Sequence, residues 1–168
     1  MSTRTAPADP TSVRWLDATQ QRAWRAFVVG STLLMERLDR DLREAFGIAL
    51  PEYEILVRLS EVPERRLRMS VLADSMCHSR SRITHTVRRL EQRGLVDRVA
   101  CDLDGRGVEA VMTDAGYDLL VRAAPLHVAS VRRHFLDVID EDDFAATGRA
   151  FEAVADGLVT ERPDADIR

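Results

Sequence analysis

The sequence contains no lysine; all 24 of its basic residues are arginine. A GC-rich genome is sufficient reason for such a bias. Its physical effect is that every fixed positive charge is a planar guanidinium, which forks onto phosphate and guanine edges better than an ammonium does. Cysteine is nearly absent too. Cys77 and Cys101 are the two present, and they form no CxxC or other metal-type spacing. That excludes a disulfide framework and fits a reducing compartment. Long apolar runs are missing: the longest uncharged stretch, Ala26 to Met35, has 10 residues, against the roughly 20 needed to span a bilayer. The opening MSTRTAPADPTS lacks the apolar core of a signal peptide, so a soluble cytoplasmic protein with no membrane partner is expected. There is no phosphate-cradling glycine loop, no GxSxG and no HExxH. An enzyme is not expected, nor a catalytic residue, a metal or a bound cofactor.

The chain of 168 residues suits one domain, or one domain with a dimerising extension. At 45% hydrophobic and 31% charged it can build a core. The net charge of -4 argues by itself against a nucleic-acid partner, but averaging hides an asymmetry. From Arg65 to Arg93 there are eight arginines, opposed by Asp74 and Glu91 alone; from Asp137 to Asp143 there are four aspartates and one glutamate with no base. Local charge, not the total, sets the field a partner feels.

Periodicity divides the chain as follows. Residues 1–12 read as a tail. A long helix is expected from Val13 to Phe46, with the apolar stripe Trp24, Phe27, Ser31, Leu34, Leu38, Leu42 and Ala45 and a bend at Gly30-Ser31. Roughly 30 residues make about 45 Å of helix, more than a small domain needs, so part of it should pack on another chain. A second helix starts near Pro51. Glu61 to Arg66 reads as a turn, and Leu67 to Met69 as a short extended piece. Ser70 is the expected cap of a third helix, Val71 to Met76, and Ser79 that of a fourth, which Gly94 stops. Two β-prone segments flank the turn signal Asp104-Gly105 and make a hairpin. Thr113 should cap a fifth helix reaching Ile139, kinked or restarted at Pro125. Asp140 to Asp143 begins a last helix ending near Val159, and 161–168 is a second tail. The fold class is mostly α with a small β-wing, a winged helix-turn-helix: 47–113 forms the lobe, and 13–46 with 114–160 the dimerisation helices.

The fourth helix carries the functional signal. Ile83, Val87 and Leu90 share one face, while the other holds Ser81, Arg82, Thr84, His85, Arg88 and Arg89. The first turns of a recognition helix point at base edges. Ser79, Arg80, Ser81, Arg82, Thr84 and His85 are therefore the N-terminal candidates, with Ser81, Arg82, Thr84 and His85 favoured as readers. Arg88, Arg89 and Arg98 lie further along and are expected on phosphates, which position the protein without reading sequence. Arg106 at the wing tip is placed to enter a minor groove, and Asp104 to orient its guanidinium. Arg65, Arg66 and Arg68 stay open between phosphate contact and simple solubility.

The segments LRMSVLADSM (67–76), SRSRITHTVRRLEQRGLVDR (79–98) and DGRGVEAVMTDAG (104–116), with LPEYEILVRL (50–59), resemble the multiple antibiotic resistance regulator (MarR) family over nearly the whole chain. The pairing of the second segment with the wing residues Asp104 and Arg106 and with Thr113 carries most of the resemblance. The chain departs in having Met112 before that threonine, where leucine is usual, and Gly105 where a second wing arginine is common. The resemblance implies a homodimeric winged-helix transcription regulator. Its two recognition helices would enter successive major grooves, about 34 Å apart, on a near-palindromic double-stranded DNA operator. It also implies repression relieved by a small, often aromatic, ligand bound between the dimer helices and the DNA lobe.

Other readings compete. Trp15 and Trp24 are weak candidates for lining a ligand pocket, with core or dimer packing the simpler role. Cys77 or Cys101 would make the chain a thiol sensor, with small semi-buried side chains the simpler role. His127 and His134 share a helix face but lack a third metal ligand. A winged-helix protein–protein adaptor is the alternative to a DNA-binding regulator; the basic face at 81–89 speaks against it.

Overall fold

The computed structural model describes residues 13–101 and 107–159. It separates into two compact units, one ending at Leu34 and the other starting at Met35. Six α-helices and three short strands follow in the order α1 Ala18–Phe46, α2 Leu50–Ser60, β1 Arg66–Arg68, α3 Met69–Ser75, α4 Arg80–Gln92, β2 Val96–Ala100, β3 Val108–Met112, α5 Asp114–His134 and α6 Glu141–Val159. The sheet is antiparallel in the order β1-β3-β2, with Leu67 opposite Ala110 and Arg98 opposite Ala110 from the other side. Among the described residues no helix is long and apolar enough to cross a membrane.

In the first unit, α1 starts at Ala18 rather than Val13 because Asp17 forms a capping box. The Asp17 carboxylate accepts the N–H groups of Thr19 and Gln20 at 2.8 Å each, and the Gln20 side chain accepts the Asp17 N–H at 3.0 Å. The helix runs unbroken through Gly30-Ser31. Much of its apolar surface here is exposed, Trp24 by 56% and Leu33 by 60%, and Trp15, ahead of the helix, by 77%. Trp24 packs on its neighbour Phe27, with ring centroids 5.6 Å apart.

The second unit holds the core. Leu38 and Leu42 from the end of α1, Ile55, Leu56 and Leu59 from α2, and Leu72 from α3 are buried together with Ile83, Val87 and Leu90 of α4. Ala45, the last member of the expected stripe, is exposed. α3 begins two residues earlier than expected and Ser70 does not cap it; β1 feeds straight into the helix, so Arg68 occupies the cap position without a side-chain capping bond. α5 passes through Pro125 without interruption and ends at His134, followed by a separate 3-10 turn at Leu136–Val138. Pro125 lies on the solvent side, where water can meet the carbonyl that loses its partner, so the helix survives it.

The wing joins α5 through one crowded junction. Thr113 Oγ1 donates to the Gly94 carbonyl at 2.8 Å and accepts the Gly116 N–H at 3.1 Å, capping α5 as expected. A Cβ at Gly116 would sit 2.2 Å from the Leu95 carbonyl oxygen, which is backbone and cannot step aside. Gly116→Ala is therefore expected to lower stability by about 1–3 kcal/mol, at the upper end of that range, in urea unfolding. An unchanged midpoint would show that the junction is looser than described.

Candidate nucleic-acid interface

α4 begins as its sequence demands. Ser79 is extended and its hydroxyl accepts the Arg82 N–H at 3.3 Å. The connection from α3 is a Schellman turn: the His78 N–H reaches the Ala73 carbonyl at 3.0 Å and Cys77 takes φ of 53°, a left-handed conformation that glycine fits best. The same arrangement ends α4, this time with Gly94 at φ of 68° and the Leu95 N–H on the Leu90 carbonyl at 3.0 Å.

Between these stops one side of α4 faces the core and the other faces solvent. Arg80, Ser81, Arg82, Thr84, His85, Arg88 and Arg89 are all exposed, while Ile83, Thr86, Val87 and Leu90 are buried. Thr84 turns its hydroxyl back onto the Arg80 carbonyl at 2.8 Å, leaving its methyl and oxygen lone pairs outward. Among the described residues no hydrogen bond or ion pair engages the guanidinium groups of Arg80, Arg82 and Arg88.

The remaining arginines of this region are committed. Arg93 donates to the carbonyls of Gly47 at 2.8 Å and Phe46 at 3.4 Å, fastening the end of α4 to the end of α1. Arg98 on β2 grips the Glu91 carboxylate through Nη2 at 2.7 Å and Nε at 2.9 Å. Arg89 Nε meets Glu52 Oε1 at 3.0 Å, and Glu52 is only 1% exposed. Arg65 stacks over the Tyr117 ring at 3.7 Å and contacts Asp114 at 3.3 Å, which locks it to the start of α5. Asp104 and Arg106 lie outside the described residues.

A groove of about 430 Å³ runs between the first turns of α4 and the strands, lined by Arg68, Ser70, Thr84, Arg98 and Val108 among others. It brings Arg98 and Thr84 together and adds Ser70 as a wall. Ser70, expected as a helix cap, stands here instead because β1 enters the sheet beside β3, a pairing that no local spacing announces. Arg68 also donates to the Cys101 thiol at 3.3 Å. Cys101 is buried and Cys77 exposed, so the expectation of two semi-buried thiols fits neither.

Behind α4 lies a second cleft, of about 520 Å³, lined by Tyr53, Glu54, Val57, Cys77, His78 and His127 among others. Burial lowers the His78 pKa, and the nearby Arg82 charge pushes it the same way, against a backbone hydrogen bond at Cys77 that raises it. Burial also lowers the His127 pKa, so both rings are neutral at neutral pH. The Glu54 carboxyl is raised by burial, and Arg82 and Arg58 pull it back. His127 stacks on Tyr53 at 4.6 Å. Among the described residues no three His, Cys, Asp or Glu side chains gather as metal ligands.

Comparison with known proteins gives this arrangement a family. The MarR family profile matches residues 46–107. AbsC, a MarR family transcriptional regulator from Streptomyces coelicolor, is 42% identical, with a TM-score of 0.82, over 87% of this chain and 98% of its own. Sco3205, a MarR family regulator from the same organism solved in complex with DNA, is also 42% identical, with a TM-score of 0.84, over 87% of this chain and 91% of its own. CouR from Rhodococcus jostii RHA1, solved bound to p-coumaroyl-CoA, shares the fold at 23% identity and a TM-score of 0.68, over 84% of this chain and 96% of its own. No curated protein sequence matches the chain. The protein is thus a winged helix-turn-helix transcription regulator, and the chain belongs to the MarR family.

The turn between α3 and α4 gives two opposite expectations. Ser79→Ala removes the α4 cap and should cost about 1 kcal/mol. Cys77→Gly relieves the left-handed strain and should stabilise by up to about 1 kcal/mol. Thermal or urea unfolding of both variants checks the pair; a stabilised Ser79→Ala or a destabilised Cys77→Gly contradicts the turn geometry.

Proposed function

We propose that the protein works as a homodimeric, sequence-specific DNA-binding repressor, each protomer presenting α4 to a major groove of a near-palindromic operator and releasing DNA when a small, often aromatic, ligand binds. The observation that carries the DNA-binding part is the solvent face of α4. Three guanidinium groups, on Arg80, Arg82 and Arg88, are exposed and make no hydrogen bond or ion pair among the described residues, on a chain whose net charge is -4. Arg82, Ser81, Thr84 and His85, in the first turns, are the base readers; Arg80 and Arg88 meet phosphates, and the wing, with Asp104 and Arg106, approaches the minor groove. The relative Sco3205, in complex with DNA, supports the same reading.

Self-association is supported by apolar surface left open on the outer helices. Trp24, Val29 and Leu33 on α1 are exposed, as are Val154 and Leu158 on α6. Such faces belong against a partner. The effector is supported by the ligand-bound relative CouR and by the cleft behind α4, into whose wall the buried His127 Nδ1 brings a polar atom without a hydrogen-bond partner among the described residues. A ligand there relieves repression only by binding the DNA-incompetent arrangement more tightly than the competent one.

Binding to a labelled duplex from upstream of its own coding sequence, titrated against salt, tests the reading, with sedimentation to count protomers. Affinity should fall steeply with salt. Arg82→Ala should weaken specific binding by about 1–3 kcal/mol, and Arg88→Ala should weaken all sequences alike and reduce the salt slope by about 1. A flat salt response, or a single protomer that ignores the duplex, rejects the function.

A further inference from the structure

Of the basic residues on the solvent side of α4, Arg89 differs from its neighbours. Its Nε meets Glu52 Oε1 at 3.0 Å, and the other Glu52 oxygen accepts the Ala49 N–H at 2.7 Å. Glu52 is therefore saturated from two directions while 1% exposed, and it cannot follow the arginine outward. On the neighbouring turn of chain, Asp39 of α1 accepts the Leu50 N–H at 2.8 Å and holds Arg43 at 2.5 Å. Burial works to raise the Asp39 pKa, but the bonds to Arg43 and Leu50 and the charges of Arg43 and Arg89 outweigh it and leave it lowered. Two carboxylates and two guanidinium groups thus form one cluster where α1, α2 and α4 meet.

We propose that Arg89 is a positioning residue and not a phosphate anchor: clamped by the buried Glu52, it fixes the rotation of α4 against the α1–α2 junction and so sets where Arg82 and Arg88 reach DNA. The inference rests on the DNA-binding function proposed above and revises the phosphate role expected for Arg89 from sequence. A phosphate that drew Arg89 away would leave a buried carboxylate unpaired, a large cost in a protein interior. Left in place, the pair is neutral and adds no counterion release when DNA binds. Arg88, one residue earlier and with no hydrogen bond or ion pair among the described residues, carries that charge.

The test compares Glu52→Gln, Arg89→Gln and Arg88→Gln on the labelled upstream duplex across a salt series. Glu52 does not reach solvent, so if Arg89 were an anchor, removing the carboxylate would leave binding equal or tighter. The positioning role instead requires Glu52→Gln to weaken binding about tenfold, as Arg89→Gln does. The double variant should be no weaker than Arg89→Gln alone, because both remove one interaction. Arg88→Gln should lower the salt slope by about 1, and Arg89→Gln should leave it unchanged. Hydrogen exchange of the Thr86 to Leu90 amides, measured without DNA, should speed up in the Glu52 and Arg89 variants and not in the Arg88 variant. Tighter binding by Glu52→Gln, a slope lost in Arg89→Gln, or unchanged exchange each overturns the proposal. A wild-type protein that binds no duplex rejects the function instead, and the exchange measurement still decides the role of Arg89.

Discussion

A carboxylate with almost no access to water anchors the winged helix-turn-helix lobe. Glu52 lies in the first turn of α2, accepts the Ala49 N–H, and turns its other oxygen to Arg89 on α4. Burying a charge is unfavourable unless it is paired and hydrogen-bonded, and both conditions are met by residues from different elements. The lobe cannot assemble with α2 and α4 in another rotation without leaving that charge bare. Apolar burial of Leu56, Leu59, Val87 and Leu90 brings the helices together, but such contacts are non-directional. The ion pair supplies direction.

Around it the arginines divide by task. Arg93 closes on the carbonyls at the end of α1, Arg65 on Tyr117 and Asp114, and Arg98 on Glu91. Each is spent on the protein's own geometry. Arg80, Arg82 and Arg88 are left to project from one helix. A chain that counts as acidic overall thereby keeps a basic face, and the absence of lysine means that even its internal fastenings are made by guanidinium forks.

Much of this was legible in the sequence because it is written locally. The Ser79 cap, the Gly94 stop, the Ile83-Val87-Leu90 stripe and the Thr113 cap all depend on a few neighbouring residues, and all stand where the spacing put them. Two local signals were passed over. Asp17 with Gln20 is a capping box hidden behind an apolar run that seemed to start earlier. Cys77 does the work of a C-terminal glycine, with nothing in its type to announce a left-handed backbone. The roles of Glu52, Arg89 and Ser70 were beyond reach for another reason. They are set by partners distant in sequence, and no periodicity states which acid a given arginine will find. Ala49, with no side-chain acceptor, also masked the box that Glu52 half completes.

The contact of Gly116 with the Leu95 carbonyl has a mechanical corollary. With no side chain between them, helix α5 and the root of the wing are in backbone-to-backbone contact, and Thr113 bonds across the same point. There is no compliant layer to absorb a tilt, so any rotation of α5 is inherited by the strands without loss. Gly47, left-handed between α1 and α2, is held as well, its N–H on the Arg43 carbonyl and its own carbonyl on Arg93. The start of α5 and the root of the wing therefore form one rigid corner of the lobe.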